Sequence, residues 1–281
     1  LDNNAAAPFR FPAPFGGYFA SRPGSDEPLT IDHYTAEGQL ASLFGAGAHE
    51  NALSARVWYS MFREWKHVGS EKVVASFPGA AFTGLFATGF LPRDLGPDRA
   101  PEWNAAMAAV DWQANLAGTL RCHQTLSPPG SLLLPDAVEL PDATYQAQGR
   151  PELAVDAKAD FKGTIALYSL EMAAGIGGDE AEQAFTEIRR LLREESGIWH
   201  PLWGLADAYA PDLSKFPDKA NLLRKHGRWV QNQKFPLNSG AGLIGLLNYL
   251  TDGGVARRAS NHPVINRGLE RIFREPGPLK R

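Results

Sequence analysis

A chain of 281 residues is long enough for one large domain or two small ones, and no linker-like stretch divides its middle, so one main domain is expected. Hydrophobic residues make up 44% and charged residues 21%, a balance that excludes general disorder and implies a buried core. With 28 basic and 31 acidic residues the net charge is -3, so no positive field gathers phosphate backbones and nucleic acid is not an expected partner.

Residues 1–28 carry Pro8, Pro12, Pro14, Pro23 and Pro28 together with Gly16, Gly17 and Gly24, which denies helix hydrogen bonds and predicts an extended arm. Phe9, Phe11, Phe15, Tyr18 and Phe19 lie in that arm. Rings on a free tail gain nothing from burial, so the arm is expected to pack on its own domain, residues 29–281, or on a protein partner. The chain opens on Leu1, Asp2 and Asn3 rather than on Met, the appearance of a chain whose leader has been removed, and a periplasmic or extracellular location is expected.

From Thr30 the pattern turns helical, with Ile31, Tyr34, Leu40, Leu43 and Phe44 near helical spacing and Gly45 and Gly47 as stops. Ser54 is the next candidate cap, and Trp58, Met61, Phe62 and Trp65 follow at helical offsets, a bulky face suited to a core. Val73 to Phe77 reads as extended, closed by Pro78 and Gly79, before a short apolar helix around Phe82, Leu85, Phe86 and Phe90. A longer helix is predicted from Pro101, with Trp103, Met107, Val110 and Ala114 on one side.

Residues 125–151 read as a long, Pro-rich and acidic loop, the kind that covers a cleft. Helices resume around Phe161 to Met172 and, after Asp179, around Phe185, Ile188 and Leu192; Trp199 to Pro217 forms an aromatic-rich loop. Helical patterns then recur near Leu222 to Trp229, Leu243 to Leu250 and Pro263 to Phe273. The order is helix after helix with almost no strand: an all-α chain that can close into an α/α toroid, either incomplete or a full (α/α)6-like barrel, with long loops lining one end. The longest apolar stretch, Gly242 to Leu250, is far shorter than the roughly 20 residues that cross a bilayer, so no membrane span is expected.

No GxGxxG follows a predicted strand, and no P-loop, zincin or nucleophile-elbow motif occurs. The 7 histidines never pair at ligand spacing and Cys122 stands alone as a small core hydrophobe, so neither a metal nor an organic cofactor is expected. Two loops place acids beside aromatics, the combination a sugar site uses, since rings stack on pyranose faces and carboxylates handle protons and hydroxyls. One holds Asp136, Glu139, Asp142 and Tyr145; a solvated acidic loop is the competing reading. The other holds Trp199, Trp203, Asp207 and Tyr209; a hydrophobic plug with Asp207 holding backbone amides competes there.

Several segments resemble, in order, those of the glucoamylase-like family of helical-toroid glycosidases, bacterial relatives of enzymes acting on β-linked glucans. Tyr34 to Leu43 is similar to the family's opening helix, and Pro78-Gly79 with Phe82, Thr83 and Phe86 to its Pro-Gly-x-x-Phe-Thr-x-x-Phe segment. Gly96 to Arg99 with Trp103-Asn104 fits the next block, and Tyr145 to Gly149 resembles the Tyr-x-Ala-x-Gly that follows the family's catalytic loop. Trp203 to Tyr209 resembles its aromatic-Gly-Phe-x-Asp-Ala-Phe segment, and Leu237 to Tyr249 with His262 to Leu269 its closing helices. The resemblance implies a toroid in which Asp136, Glu139 and Asp207 are the candidate catalytic carboxylates, and in which Phe82, Trp199, Trp203, Tyr209, Asn238 and Asn248 gather at one end to bind glycan.

Three departures fall where function is expected. Asn238 stands where the family's Ile-Asp-Gln-Gly-Pro has its acid, Leu247 replaces the acid of Ile-Glu-Asn-Tyr, and Leu132 to Asp136 matches the Trp-Gly-Leu-Thr-Ala loop only loosely. An amide exchanges no proton near neutral pH. The expected function is an exported glycan-binding or assembly subunit with little or no hydrolase activity; the alternative is an active hydrolase of β-linked glucans with a rearranged carboxylate pair.

Overall fold

The computed structural model describes residues 18–21, 28–31, 34, 36–55, 57–58, 61–76, 78–91, 112–155, 159–195, 197–202, 204–216, 228–231 and 234–274. Among these residues the named helices are α1 (Ala36–Gly47), α2 (Ala81–Leu85), α3 (Trp112–Thr125), α4 (Leu167–Ala174), α5 (Gly178–Glu194), α6 (Pro236–Leu250), α7 (Gly254–Ser260) and α8 (Pro263–Arg274). Strands lie in the connections: the hairpins β1 (Tyr18–Ser21) with β2 (Pro28–Ile31), β3 (Trp65–Val68) with β4 (Glu71–Val74) and β5 (Ala137–Glu139) with β6 (Tyr145–Ala147). Further along, β7 (Ile165–Ala166) and β11 (Trp229–Gln231) flank β10 (Ala208–Ala210) in an antiparallel sheet, and β8 (Trp199–His200) pairs with β9 (Gly204–Leu205).

The packing is helix on helix. In α5, Ala181, Ala184, Ile188 and Leu191 recur at three- and four-residue steps on the buried side, Asp179 and Glu180 sit in the first turn and Arg193 in the last, matching the helix dipole. Pro236 opens α6 with a fixed φ at the position where a missing N–H costs nothing. This helix is apolar nearly all round. It turns Asn238, Ala241, Gly242, Gly245 and Asn248 inward, while Leu243, Leu247 and Leu250 form a stripe on the exposed side.

Small residues set the helix spacing. A Cβ at Gly245 would meet the Glu171 carbonyl oxygen and Met172 Cα of α4, and one at Gly268 of α8 would meet the Leu43 carbonyl of α1, so both pairs approach backbone to backbone. The α1–α8 contact is tied further by Arg267, whose Nε donates to Gly47 O at 2.9 Å, and Arg271, which donates to Ala46 O at 2.6 Å; these guanidiniums satisfy carbonyls that the end of α1 leaves open.

Two main clusters fill the interior. The larger joins Leu85, Leu120, Leu134, Ile165, Leu170, Leu191 and Tyr209 with their neighbours; the second joins Tyr34, Leu43, Trp58, Met61, Ile265 and Ile272. The structure shifts several predicted boundaries. Thr30 and Ile31 lie in β2, and the helix begins at Ala36. Trp65, expected on a helix with Trp58, is in a β-hairpin that turns at Gly69 with φ of 59°, while Trp58 is buried edge-on to Tyr34 at 5.3 Å. Val68, Val73 and Val74 favour strand and Gly69 supplies the turn, which together overrule the helical offsets. The long loop after residue 125 contains β5 and β6, with Asp142 accepting from both Thr144 N and Thr144 Oγ1 in the turn. The helix expected from Phe161 begins only at Leu167, because Ile165 and Ala166 pair as β7, and Trp229, expected at the end of a helix from Leu222, lies in β11. Most of the arm, the predicted start of a helix at Pro101 and the rest of the helix expected after Leu222 lie outside the described residues.

Candidate active site

The antiparallel pairing of β10 with β7 sets Ala208 opposite Ala166, and Leu167 N donates to Asp207 O at 3.1 Å. Asp207 is thereby fixed beside the first turn of α4. On that helix Tyr168 and Glu171 are three residues apart and share a face. Both line a cavity of about 510 Å³ together with Asp207, Lys234, Ser239, Trp199 and an apolar wall that includes Leu202, Leu205, Leu243 and Leu246.

Asp207 is 2% exposed, and Asn238 Nδ2 lies 3.1 Å from each of its carboxylate oxygens. Burial pushes its carboxyl up to about 6, with the Asn238 hydrogen bond and the Lys234 ammonium pulling the other way. Glu171 is half-buried, and burial raises its carboxyl to about 7 against the opposing charge of Lys234. Burial in turn lowers Lys234, while Glu171 and Asp207 favour its charged form. Two carboxyl groups raised by burial therefore face one cavity, with an ammonium that feels both.

Asp136 is buried and does not line this cavity. Its Oδ2 accepts from Phe82 N at 2.6 Å and Ser169 Oγ at 2.7 Å, and its Oδ1 from Ala137 N at 2.7 Å. Burial raises it to about 6 against these hydrogen bonds, of which Ser169 contributes most. The next carbonyl, Ala137 O, gathers the hydroxyls of Tyr145 and Tyr168, each at 3.2 Å, and Asn238 Nδ2 at 3.3 Å. Asn238 thus ties the Asp136 segment to Asp207.

The expected site residues separate into groups. Asp207 and Trp199 line the cavity; Asn238 holds Asp207; Glu139, on β5, is near enough for its charge to act on Asp207. Phe82 contributes its backbone N–H to Asp136, while its ring stacks on Phe86 at 4.6 Å. Tyr209 is buried in the main core. Asn248 is buried at the other end of α6, where it donates to Gly89 O at 2.9 Å and accepts from Ala256 N at 3.0 Å. Leu247, the apolar departure, faces outward at 39% exposure, and Leu243 and Leu246 border the cavity instead. Trp203 lies outside the described residues.

Glu171, Lys234, Tyr168 and Ser169 escaped sequence reasoning. A signal for Glu171 was present: it is the single charged residue in the apolar run of α4. Among the described residues no group of three His, Cys, Asp or Glu is arranged to hold a metal, and no helix is long and apolar enough to cross a membrane.

Helices packed in pairs, with short strands in the connections, make up a helical toroid. No protein-family profile matches the sequence and no curated protein matches it. Solved structures match the fold. A protein from Bacteroides caccae assigned as a glucoamylase superposes with a TM-score of 0.60 at 16% identity, over 88% of this chain and 56% of that one. An endo-β-1,2-glucanase from Chitinophaga pinensis, solved with sophorotriose and glucose, gives 0.63 at 11%, over 87% of this chain and 55% of that one. A β-1,2-glucanase from Parabacteroides distasonis gives 0.63 at 14%, over 87% of this chain and 35% of that one. The chain therefore spans about half the length, or less, of the structures it matches.

Proposed function

We propose that this protein binds a short β-linked gluco-oligosaccharide in the cavity bounded by Trp199, Asp207 and Glu171. The observation that carries the reading is the combination of an indole, two carboxyl groups and an ammonium on one cavity of about 510 Å³, large enough for a few sugar rings. Trp199 is 55% exposed, so its ring is open to stacking, and Asp207 is already oriented by Asn238. The β-1,2-glucanases among the fold's matches support a β-linked glucan as ligand. An exported location, a domain over residues 29–281 and a contact with a protein partner through the N-terminal arm belong to the same reading.

Weak or absent hydrolysis is part of this reading. It is supported by the amide at Asn238 and by the three donors that hold Asp136 away from the cavity. A hydrolase is the second reading, favoured by the raised carboxyls of Glu171, at about 7, and Asp207, at about 6, which differ enough for one to act as acid and the other as base. Calorimetric titration with β-1,2-, β-1,3- and β-1,4-linked gluco-oligosaccharides tests the first reading: binding of at least one series is expected, and no heat with any of them rejects it. Release of reducing ends from a bound series would select the second.

A further inference from the structure

Every residue of α4 is buried except Glu171, which is also the helix's single charge. The neighbouring helix makes room for it. A Cβ at Gly242 of α6 would run into Glu171 Oε2, so the carboxyl lies along α6 between the cavity residues Ser239 and Leu246. A carboxyl group set into an apolar helix contact costs free energy unless something partners it. Among the described residues Glu171 receives no hydrogen bond, and Lys234 makes none and joins no ion pair within 4.0 Å. Each feels the other's charge nonetheless, and both line the cavity. An ammonium with three donors and a carboxyl with free lone pairs therefore face one space without closing on each other.

A separation beyond 4.0 Å on one cavity leaves room for two adjacent hydroxyls of a sugar ring, one accepting from Lys234 Nζ and its neighbour donating to a Glu171 oxygen. We infer that Glu171 and Lys234 form the selecting pair of the cavity, gripping a vicinal diol of one hexopyranose ring. The inference rests on the glycan-binding reading. It adds what that reading lacks: a reason for a carboxyl on α4, and a part of the sugar that is recognised. Asp207, already engaged by Asn238, also favours the charged form of Lys234 against the effect of burial.

The test is titration of the whole chain and of the variants Glu171→Gln and Lys234→Met with sophorotriose and its monodeoxy analogues. Lys234 precedes α6 and is only partly buried, so its loss leaves the helix packing in place even if Glu171→Gln disturbs α4. Each variant is expected to bind about 10–100-fold more weakly, the range for loss of a hydrogen bond to a charged group. Two adjacent deoxy positions should weaken wild-type binding, and Glu171→Gln and Lys234→Met should each become less sensitive to a different one of the two while keeping the loss at the other, which a merely structural role for either residue would not produce. Wild-type affinity in both variants, or equal deoxy losses in all three proteins, overturns the pair while the glycan reading stands. Failure of the wild type to bind any glucan removes the reading itself and the pair with it.

Discussion

Asn238 grips Asp207 with a single amide nitrogen 3.1 Å from both carboxylate oxygens, and the same nitrogen reaches Ala137 O at 3.3 Å. An amide at this position is a clamp. Removing it in Asn238→Ala strips a buried carboxyl of its donor and should cost about 1–3 kcal/mol, read from urea unfolding at pH 7. Asn238→Asp should be comparably unstable at pH 7, where two carboxylates would confront each other, and regain most of the loss at pH 5, where they can share a proton. Equal stability of the two variants at both pH values would show that the clamp does not act.

Gly242 and Glu171 form a second pair open to test. Gly242→Ala is expected to destabilise the fold, because the added methyl meets the Glu171 carboxyl and side-chain carbon across the helix contact. Glu171→Ala should relieve most of this, so the two substitutions together should cost less than their sum by about 1 kcal/mol or more in a double-mutant cycle. Gly245→Ala should not be rescued, since its neighbours there are backbone atoms of Glu171 and Met172.

The buried acids give the stability a distinctive pH dependence. Burial raises Asp136 and Asp207 from 3.8 to about 6 and Glu171 from 4.5 to about 7, so the folded chain keeps protons that the unfolded chain releases. Their contribution to stability therefore grows as pH falls from above 7 toward 4. His123 opposes them. Burial lowers it from 6.5 to about 3, so the unfolded chain takes up its proton first and this part of the stability is lost as pH falls below 6.5. Three groups outweigh one, and the melting temperature should rise from pH 8 to about pH 5 before falling in stronger acid. Glu171→Gln should flatten the rise between about pH 5 and 7; an unchanged slope in that variant would reject the assignment.

Trp199→Ala should separate binding from folding. The indole is more than half exposed on a hairpin of two-residue strands, so its loss should leave the melting temperature within a degree or two. Glucan affinity should fall by about 1–3 kcal/mol if the ring carries a sugar face, the scale of an aromatic stacking contact. Quenching of tryptophan fluorescence by bound oligosaccharide should weaken in parallel.

The helices with one wet and one dry side were legible in the sequence: α5 and α8 follow their apolar spacing closely, and α6 was found from its uninterrupted apolar run. Where packing overrode local pattern, the reading slipped. Trp58 and Trp65 stand at helical spacing, yet one is sealed in the second core and the other stands in a hairpin whose turn and valines were read separately. The site was half legible. Asp136, Asp207 and Asn238 come from three distant segments, and their junction at Ala137 O is a tertiary fact that no spacing encodes. Tyr209 and Asn248 show the converse, since residues of suitable chemistry in suitable segments serve the core and the helix ends. Glu171 was overlooked because motif reasoning starts from loops, and this carboxyl arrives on a buried helix.

The glycines between α4 and α6 have one more consequence. Where backbone meets backbone there are no rotamers to adjust, so the wall bearing Glu171 and Ser239 is a fixed jaw whose position is set by atomic radii. Trp199 and Leu202, which also line the cavity, belong to a hairpin of two residue pairs, too short to be stiff by itself. Ligands of different linkage would then be gauged against the same rigid face, and the accommodation would fall to the compliant jaw.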